Sequence, residues 1–259
     1  MNVLTNLISF FDTIQLNDTG RVKLLNRIDT KFLLSPKALV DCLSAHIEDY
    51  EVVEINNERV LNYETKYFDT SDLNMYYEHH NGKARRYKVR YRRYAESGDQ
   101  FLEVKYKEKN RTHKQRIAVD GFQSHLSGNN EDFIENVTPY RADELFPSIT
   151  TKFKRITLVN KKVCERITID LNINFSNTDS DFELKNCVIV EIKRNKEDVY
   201  SSFARTIKEH GFLPLSISKY CLGTVALKDG VKYNRFKPRL RKVDSLMAQE
   251  ENNHFALVV

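Results

Sequence analysis

The chain has 259 residues, 41% hydrophobic and 30% charged, a composition that builds a sizeable core beneath a charged surface and excludes a disordered or collagen-like chain. It contains no run of about 20 apolar residues, and its first residues lack a basic leader and a small-residue cleavage site. A soluble, cytoplasmic protein without a membrane span of its own is therefore expected. The net charge of +5 is too mild to name a partner, and Cys42, Cys164, Cys187 and Cys221 lie too far apart for a zinc site and read as buried free thiols.

Leu4, Leu7, Ile8 and Phe11 have the spacing of a short amphipathic helix. Residues 27–34 read as a strand, after which Ser35 and Pro36 give an N-cap and a first-turn proline to a helix whose apolar face is Leu39, Val40, Leu43 and Ile47. Residues 63–68 read as a strand, and Ser71 with Asp72 opens a short helix ending near Asn81 and Gly82. Six β-type runs follow, at 87–94, 101–107, 114–119, 153–159, 165–174 and 188–193, and this series predicts a meandering antiparallel sheet or barrel. Residues 196–210 read as a helix carrying Val199, Phe203, Ala204 and Ile207, with Gly211 as its stop. A last short strand is predicted at 217–225. Beyond Lys228 the chain is basic (Lys232, Arg235, Lys237, Arg239, Arg241, Lys242) and then polar, the composition of a mobile end. The resulting organisation is a helical segment over 1–22, one barrel domain over 23–227 and a basic and polar tail over 228–259.

Residues two apart on a strand share a face. Arg86, Lys88, Arg90 and Arg92 thus line one face, with Tyr87, Val89 and Tyr91 on the other. Glu103, Lys105 and Lys107 form a second such set, Lys114 and Arg116 a third, Arg166, Thr168 and Asp170 a fourth, Glu191 and Lys193 a fifth, and Arg27, Asp29 and Lys31 a sixth. A single charged face is the ordinary wet side of an antiparallel sheet. Repetition over several strands is another matter. Like charges about 7 Å apart repel by roughly 0.6 kcal/mol even in water, and by more as the dielectric falls. Several basic strands side by side call for an anion, and a sheet closed with these charges inward is a tunnel suited to a chain of phosphates. An inward glutamate among the cations then suits a divalent metal bridging phosphate oxygens.

The order of these pieces resembles the triphosphate tunnel metalloenzymes and, within them, the polyphosphate polymerase domain of the vacuolar transporter chaperone (VTC) family. The matching pieces are R-x-D-x-K at Arg27, Asp29 and Lys31; YFDT from Tyr67 to Thr70; K-V-R-Y-R from Lys88 to Arg92; E-x-K at Glu103 and Lys105; Arg155; R-x-T-x-D from Arg166; E-x-K at Glu191 and Lys193; and SKY from Ser218. The resemblance spans roughly residues 27–223. It implies a mainly β, α+β fold, a closed eight-stranded antiparallel tunnel barrel with flanking helices. It places Lys31, Arg90, Arg92, Lys105, Arg155, Arg166, Lys193 and Lys219 as the catalytic cations. Arg27, Lys88, Lys107, Lys114, Arg116 and Ser218 become further substrate contacts. Glu191, with Glu103 as a second candidate, would hold Mn2+ or Mg2+. The first strand lacks the E-x-E-x-K of the tripolyphosphatase and adenylate cyclase branch, which favours the VTC branch, and Ser216 stands where VTC domains can carry a further lysine.

The function this implies is transfer of the γ-phosphate of ATP onto a growing inorganic polyphosphate. A metal-dependent triphosphatase and a noncatalytic polyphosphate-binding module use the same cradle and stay open at this stage. Specific nucleic-acid binding is not expected, because aromatic residues interleaved with basic ones are also how an alternating strand packs its core face. Any coupling to transport is expected to need a separate membrane protein. Asp29 and Asp170 read as ion-pair partners, and His79, His80 and His113 as exposed turn residues.

Overall fold

The computed structural model describes residues 2–21, 27–109, 111–197 and 200–253. Helix α1 (Asn2–Ser9) leads into strand β1 (Asp12–Gln15), and β2 (Arg27–Leu34) leads into α2 (Pro36–Ser44). Strands β3 (Tyr50–Glu54) and β4 (Leu61–Asp69) precede α3 (Asn74–His80), and β5 (Arg85–Tyr94), β6 (Gln100–Glu108) and β7 (Arg111–Ala118) form a meander. Helix α4 (Asn129–Val137) is followed by β8 (Phe146–Asn160), β9 (Glu165–Ser176), β10 (Asp181–Leu184) and β11 (Val188–Asn195), and then by α5 (Ser202–Glu209), α6 (Lys219–Leu227) and α7 (Lys237–Asn253). No described helix is long and apolar enough to cross a membrane.

Eight strands pair in the order β2-β11-β9-β8-β4-β5-β6-β7, every pair antiparallel, and curl into a half-barrel. Strands β1, β3 and β10 attach off this path. The expected closed barrel is not what forms: among the described residues no ladder joins β2 to β7. The segment ahead of α6 takes the free edge of β2 instead, with Leu215 N donating to Lys31 O at 2.7 Å.

Outside the curl, α1, α2 and α5 cover β2, β11, β9 and β8 through Ile8, Phe11, Leu39, Leu43, Phe203 and Ile207. Ser35 and Ser201 cap α2 and α5 by accepting from Ala38 N and Ala204 N, as Ser-led helices are expected to begin. Val199 lies outside the described residues. A second outer cluster, with Val89, Tyr91, Leu102 and Val104 of the meander, packs on Ile134 of α4.

Inside the curl sits α6, where the sequence pattern predicts a strand over 217–225, but Tyr220 to Thr224 are five consecutive buried residues of a helix. A helix buried all round shows no apolar stripe, so its period is invisible in the sequence. The packing is close: a Cβ on Gly223 would stand 2.7 Å from Phe175 Cδ1 and 2.9 Å from Ile149 Cγ2.

A bulge lets one strand serve both the apolar and the charged parts of this interior. The β8–β9 register shifts between Lys152 and Lys154, opposite Asn172, which adopts φ 48°. Arg166, Thr168 and Asp170 face inward before the bulge, and the phase change makes Ile173 and Phe175 face inward after it. Unbroken alternation would have turned that apolar pair outward.

The end of the chain also differs from expectation. Residues 237–253 are helical, and Val243 and Leu246 are buried against the Cys187–Ile189 end of β11. The expected mobile tail is, over these residues, part of the packed body.

Candidate functional site

The cationic inner wall is organised by cross-strand register. Arg86 stands opposite Lys107, Lys88 opposite Lys105, and Lys105 opposite Lys114. On the other arm Lys193 stands opposite Arg166. Directly opposed like charges destabilise a sheet. Carboxylates relieve part of the strain, each one clamped between two cations.

Asp170 takes a two-pronged bond from Arg155 (Nε–Oδ1 2.6 Å, Nη2–Oδ2 2.8 Å) and an ion pair from Lys219, which reaches across from the first turn of α6. Burial would raise the Asp170 carboxyl, but these two cations hold it well below its ordinary range. Glu103, completely buried, accepts from Arg90 Nε at 2.8 Å and Nη2 at 2.6 Å and pairs with Lys114. Glu191 pairs with Lys193 and, at 3.4 Å, with Lys31.

The remaining cations are less well matched. Among the described residues Lys88, Arg92, Lys105, Lys107 and Arg166 have no carboxylate within ion-pairing distance. Arg92 donates to the neutral Thr65 Oγ1, Lys88 donates to Ser218 Oγ at 3.0 Å, and Arg166 Nε is buried with no hydrogen-bond partner among the described residues. Arg90, burial and Arg92 hold the Lys105 ammonium well below its ordinary range. Burial first, and then Arg155 against the opposing pull of Glu191, lowers Lys193 to about 8. Burial and the neighbouring cations together favour the neutral form of both lysines, against the pull of Glu191.

Two substrate contacts expected from sequence lie at the rims. Arg27 is exposed and pairs with Asp29 at 3.0 Å, and Arg116 lies over the Phe101 ring at 4.1 Å. Asp170 and Asp29 are ion-pair partners, as read.

The histidine reading changes. His80 is buried with its Nε2 accepting from Arg235 N at 3.4 Å, and the Nδ1 of His79 is buried as well, whereas His113 is exposed and stacked on Tyr106. The helix α3 is likewise not opened by Ser71 and Asp72. Asp69 accepts from Met75 N and Tyr76 N, both at 2.9 Å, while Thr70 Oγ1 accepts from Asn74 N at 3.0 Å. Tyr220 OH also donates to Asp69, so the carboxylate of the YFDT segment ties β4, α3 and α6 together. Tyr67 was not singled out from sequence as a site residue. Burial would raise its phenol, but Arg90, Arg92, Lys219 and Lys88 around it bring it below its ordinary value. The signal was its place two residues from Thr65 on an inward face.

A metal held by protein alone does not fit this wall. Among the described residues no three His, Cys, Asp or Glu side chains converge on one point. Glu103 is sealed between Arg90 and Lys114. Glu191 is partly open, so that of these three carboxylates, Asp170, Glu103 and Glu191, it is the one a divalent cation could reach.

The family model described as VTC domain matches residues 26–228. Among solved structures, a candidate adenylate cyclase from Bacillus halodurans superposes with a TM-score of 0.51 at 13% identity, covering 75% of this chain and 94% of that one. A candidate adenylyl cyclase from Hippeastrum, described as having a dominant triphosphatase activity, gives a TM-score of 0.49 at 14% identity over 77% of this chain and 96% of that one. At such identity the first likeness speaks to the fold alone, and the second carries no argument. Comparison with curated protein sequences yields no match.

Proposed function

Because the chain belongs to the VTC domain family, we propose that it is a polyphosphate polymerase-like phosphotransferase, moving the γ-phosphate of ATP onto the end of an inorganic polyphosphate held along the inner wall. The observation that carries this reading is the set of directly opposed cations, Arg86 with Lys107 and Lys88 with Lys105, none of which has a carboxylate within ion-pairing distance among the described residues, so that an anion from outside would relieve their repulsion. On β5 alone, four cations at alternate positions span about 20 Å, a run suited to a chain of phosphates.

In the reaction a terminal polyphosphate oxygen attacks the γ-phosphorus, a new P–O–P link forms, the bridging P–O bond to the β-phosphate breaks, and ADP leaves with that electron pair. The transition state is loose, with charge spread over the peripheral oxygens, so positioning and electrostatic stabilisation provide most of the catalysis. No side-chain nucleophile is needed. Arg90, Arg92, Lys105 and Lys219 orient the phosphates, while Arg155 and Arg166 steady the acceptor and leaving segments. Arg155 and Lys219 are fixed by Asp170 and Arg90 by Glu103, so these groups are positioned before substrate arrives. Glu191 would contact Mn2+ or Mg2+ on the phosphates. Such a metal, when bound, neutralises developing charge on phosphate oxygens.

Incubation with ATP and Mn2+ should give interior polyphosphate resonances in the 31P NMR spectrum. Free phosphate alone would identify water as the acceptor, and tight binding without turnover would reduce the protein to a polyphosphate-binding module.

A further inference from the structure

Helix α7 begins beyond residue 228, where the family match ends, yet its first turns reach the cationic wall. Arg239 of α7 lines a cavity of about 20 Å³ together with His79, Ile217, Ser218 and Phe236. The wall of that cavity is already tied to two inner cations. Lys31 Nζ donates to Ile217 O at 3.4 Å, and Lys88 Nζ donates to Ser218 Oγ at 3.0 Å.

His79 is the odd group in this arrangement. Its Nδ1 is buried with no hydrogen-bond partner, an arrangement that costs stability unless something fills the need. Burial, with Lys88, Arg86, Lys31 and Arg239 nearby, lowers the imidazole to about 2, so the ring is neutral and one nitrogen carries an N–H. Of those four cations only Lys31 has a carboxylate within ion-pairing distance among the described residues. His79 and Arg239 thus line one small space whose wall is held by Lys31 and Lys88, and it has room for a single water-sized group such as one phosphate oxygen.

We propose that Arg239 and His79, beside Lys88, form an additional phosphate subsite, completed by α7, which holds the polyphosphate chain away from the transferring phosphate. This rests on the phosphotransferase reading and extends it to a segment beyond the family match. Arg239 is a binding residue here and takes no part in bond making.

The test is calorimetric titration of the full chain with tripolyphosphate and with long-chain polyphosphate. Arg239→Ala should weaken long-chain binding about tenfold, the worth of one charge-assisted bond, and change tripolyphosphate binding less than about twofold. Arg239→Lys should restore most of the loss. His79→Phe keeps a ring against Phe236 and removes both nitrogens, and it should show the same selective loss. Arg241→Ala, an exposed change on the same helix, should bind both ligands as the wild type does. Melting curves establish that each variant is folded. Equal losses for the two ligands, no loss for either, or the same loss from Arg241→Ala would overturn the subsite. A wild-type protein that binds neither ligand would overturn the subsite and the proposed function together. Wild-type binding of both, matched by Arg239→Ala, would overturn the subsite alone.

Discussion

Arg155, Lys219 and Arg90 each rest on a buried carboxylate, whereas Lys88, Lys105, Arg92 and Arg166, on neighbouring positions of the same wall, have none within ion-pairing distance among the described residues. The first group is held in place whether or not substrate is bound. The second is held by backbone register and, at Lys88 and Arg92, by neutral hydroxyls, and its charge is a cost that a ligand would relieve. One wall therefore contains a set of cations that serves the fold and a set that the fold tolerates, which is where stability and function part company.

The largest expected effect comes from breaking the first set. Asp170→Ala leaves Arg155 and Lys219 buried beside each other and should lower unfolding free energy by about 3–5 kcal/mol in denaturant titrations. An unchanged midpoint would mean that solvent already reaches the pair. Next in size is the apolar support beneath Lys219. Gly223→Ala drives a methyl into Phe175 and Ile149 and should cost about 1–3 kcal/mol, with melting temperature as the readout.

Changes in the second set should move stability and binding in opposite directions. Lys105→Met should raise unfolding free energy by about 1 kcal/mol while weakening tripolyphosphate binding tenfold or so. If it destabilises the ligand-free protein, Lys105 belongs with the scaffold cations. The smallest effect is on protons. Lys193 in the ligand-free fold is charged below about 8 and neutral above it, and an arriving anion favours the charged form. Just above that pH, binding should take up protons, and affinity should fall as pH rises further. Calorimetry in two buffers of different ionisation enthalpy measures this uptake, and proton release would contradict the assignment.

The charged faces were legible because strand alternation is local. Arg86, Lys88, Arg90 and Arg92 do share one face, and the register then sets Arg86 and Lys88 opposite Lys107 and Lys105 but Arg90 opposite Glu103. What alternation does not reveal is a change of phase, so the bulge at Asn172 and the apolar half of the interior were missed. The same limit hid α6, since Tyr220 to Thr224 are buried on every side, and the one local sign was Ser218, whose Oγ accepts from Cys221 N at 3.4 Å. In α7 a signal did exist. Phe236, Leu240, Val243 and Met247 recur at helical spacing, but the basic residues between them made the segment read as a solvated end. Short strands such as β1 and β10, four residues each, leave too little pattern to detect. His79 was read as a turn residue because nothing in its neighbourhood announces that α7 folds back over it.

Titrating tripolyphosphate into the wild type and into a Lys105→Met/Arg166→Met double variant tests the division of the wall most directly. Saturable binding that disappears in the double variant, while the variant melts no lower than the wild type, is the predicted result. Undiminished binding by the double variant would show that phosphate does not seek these cations.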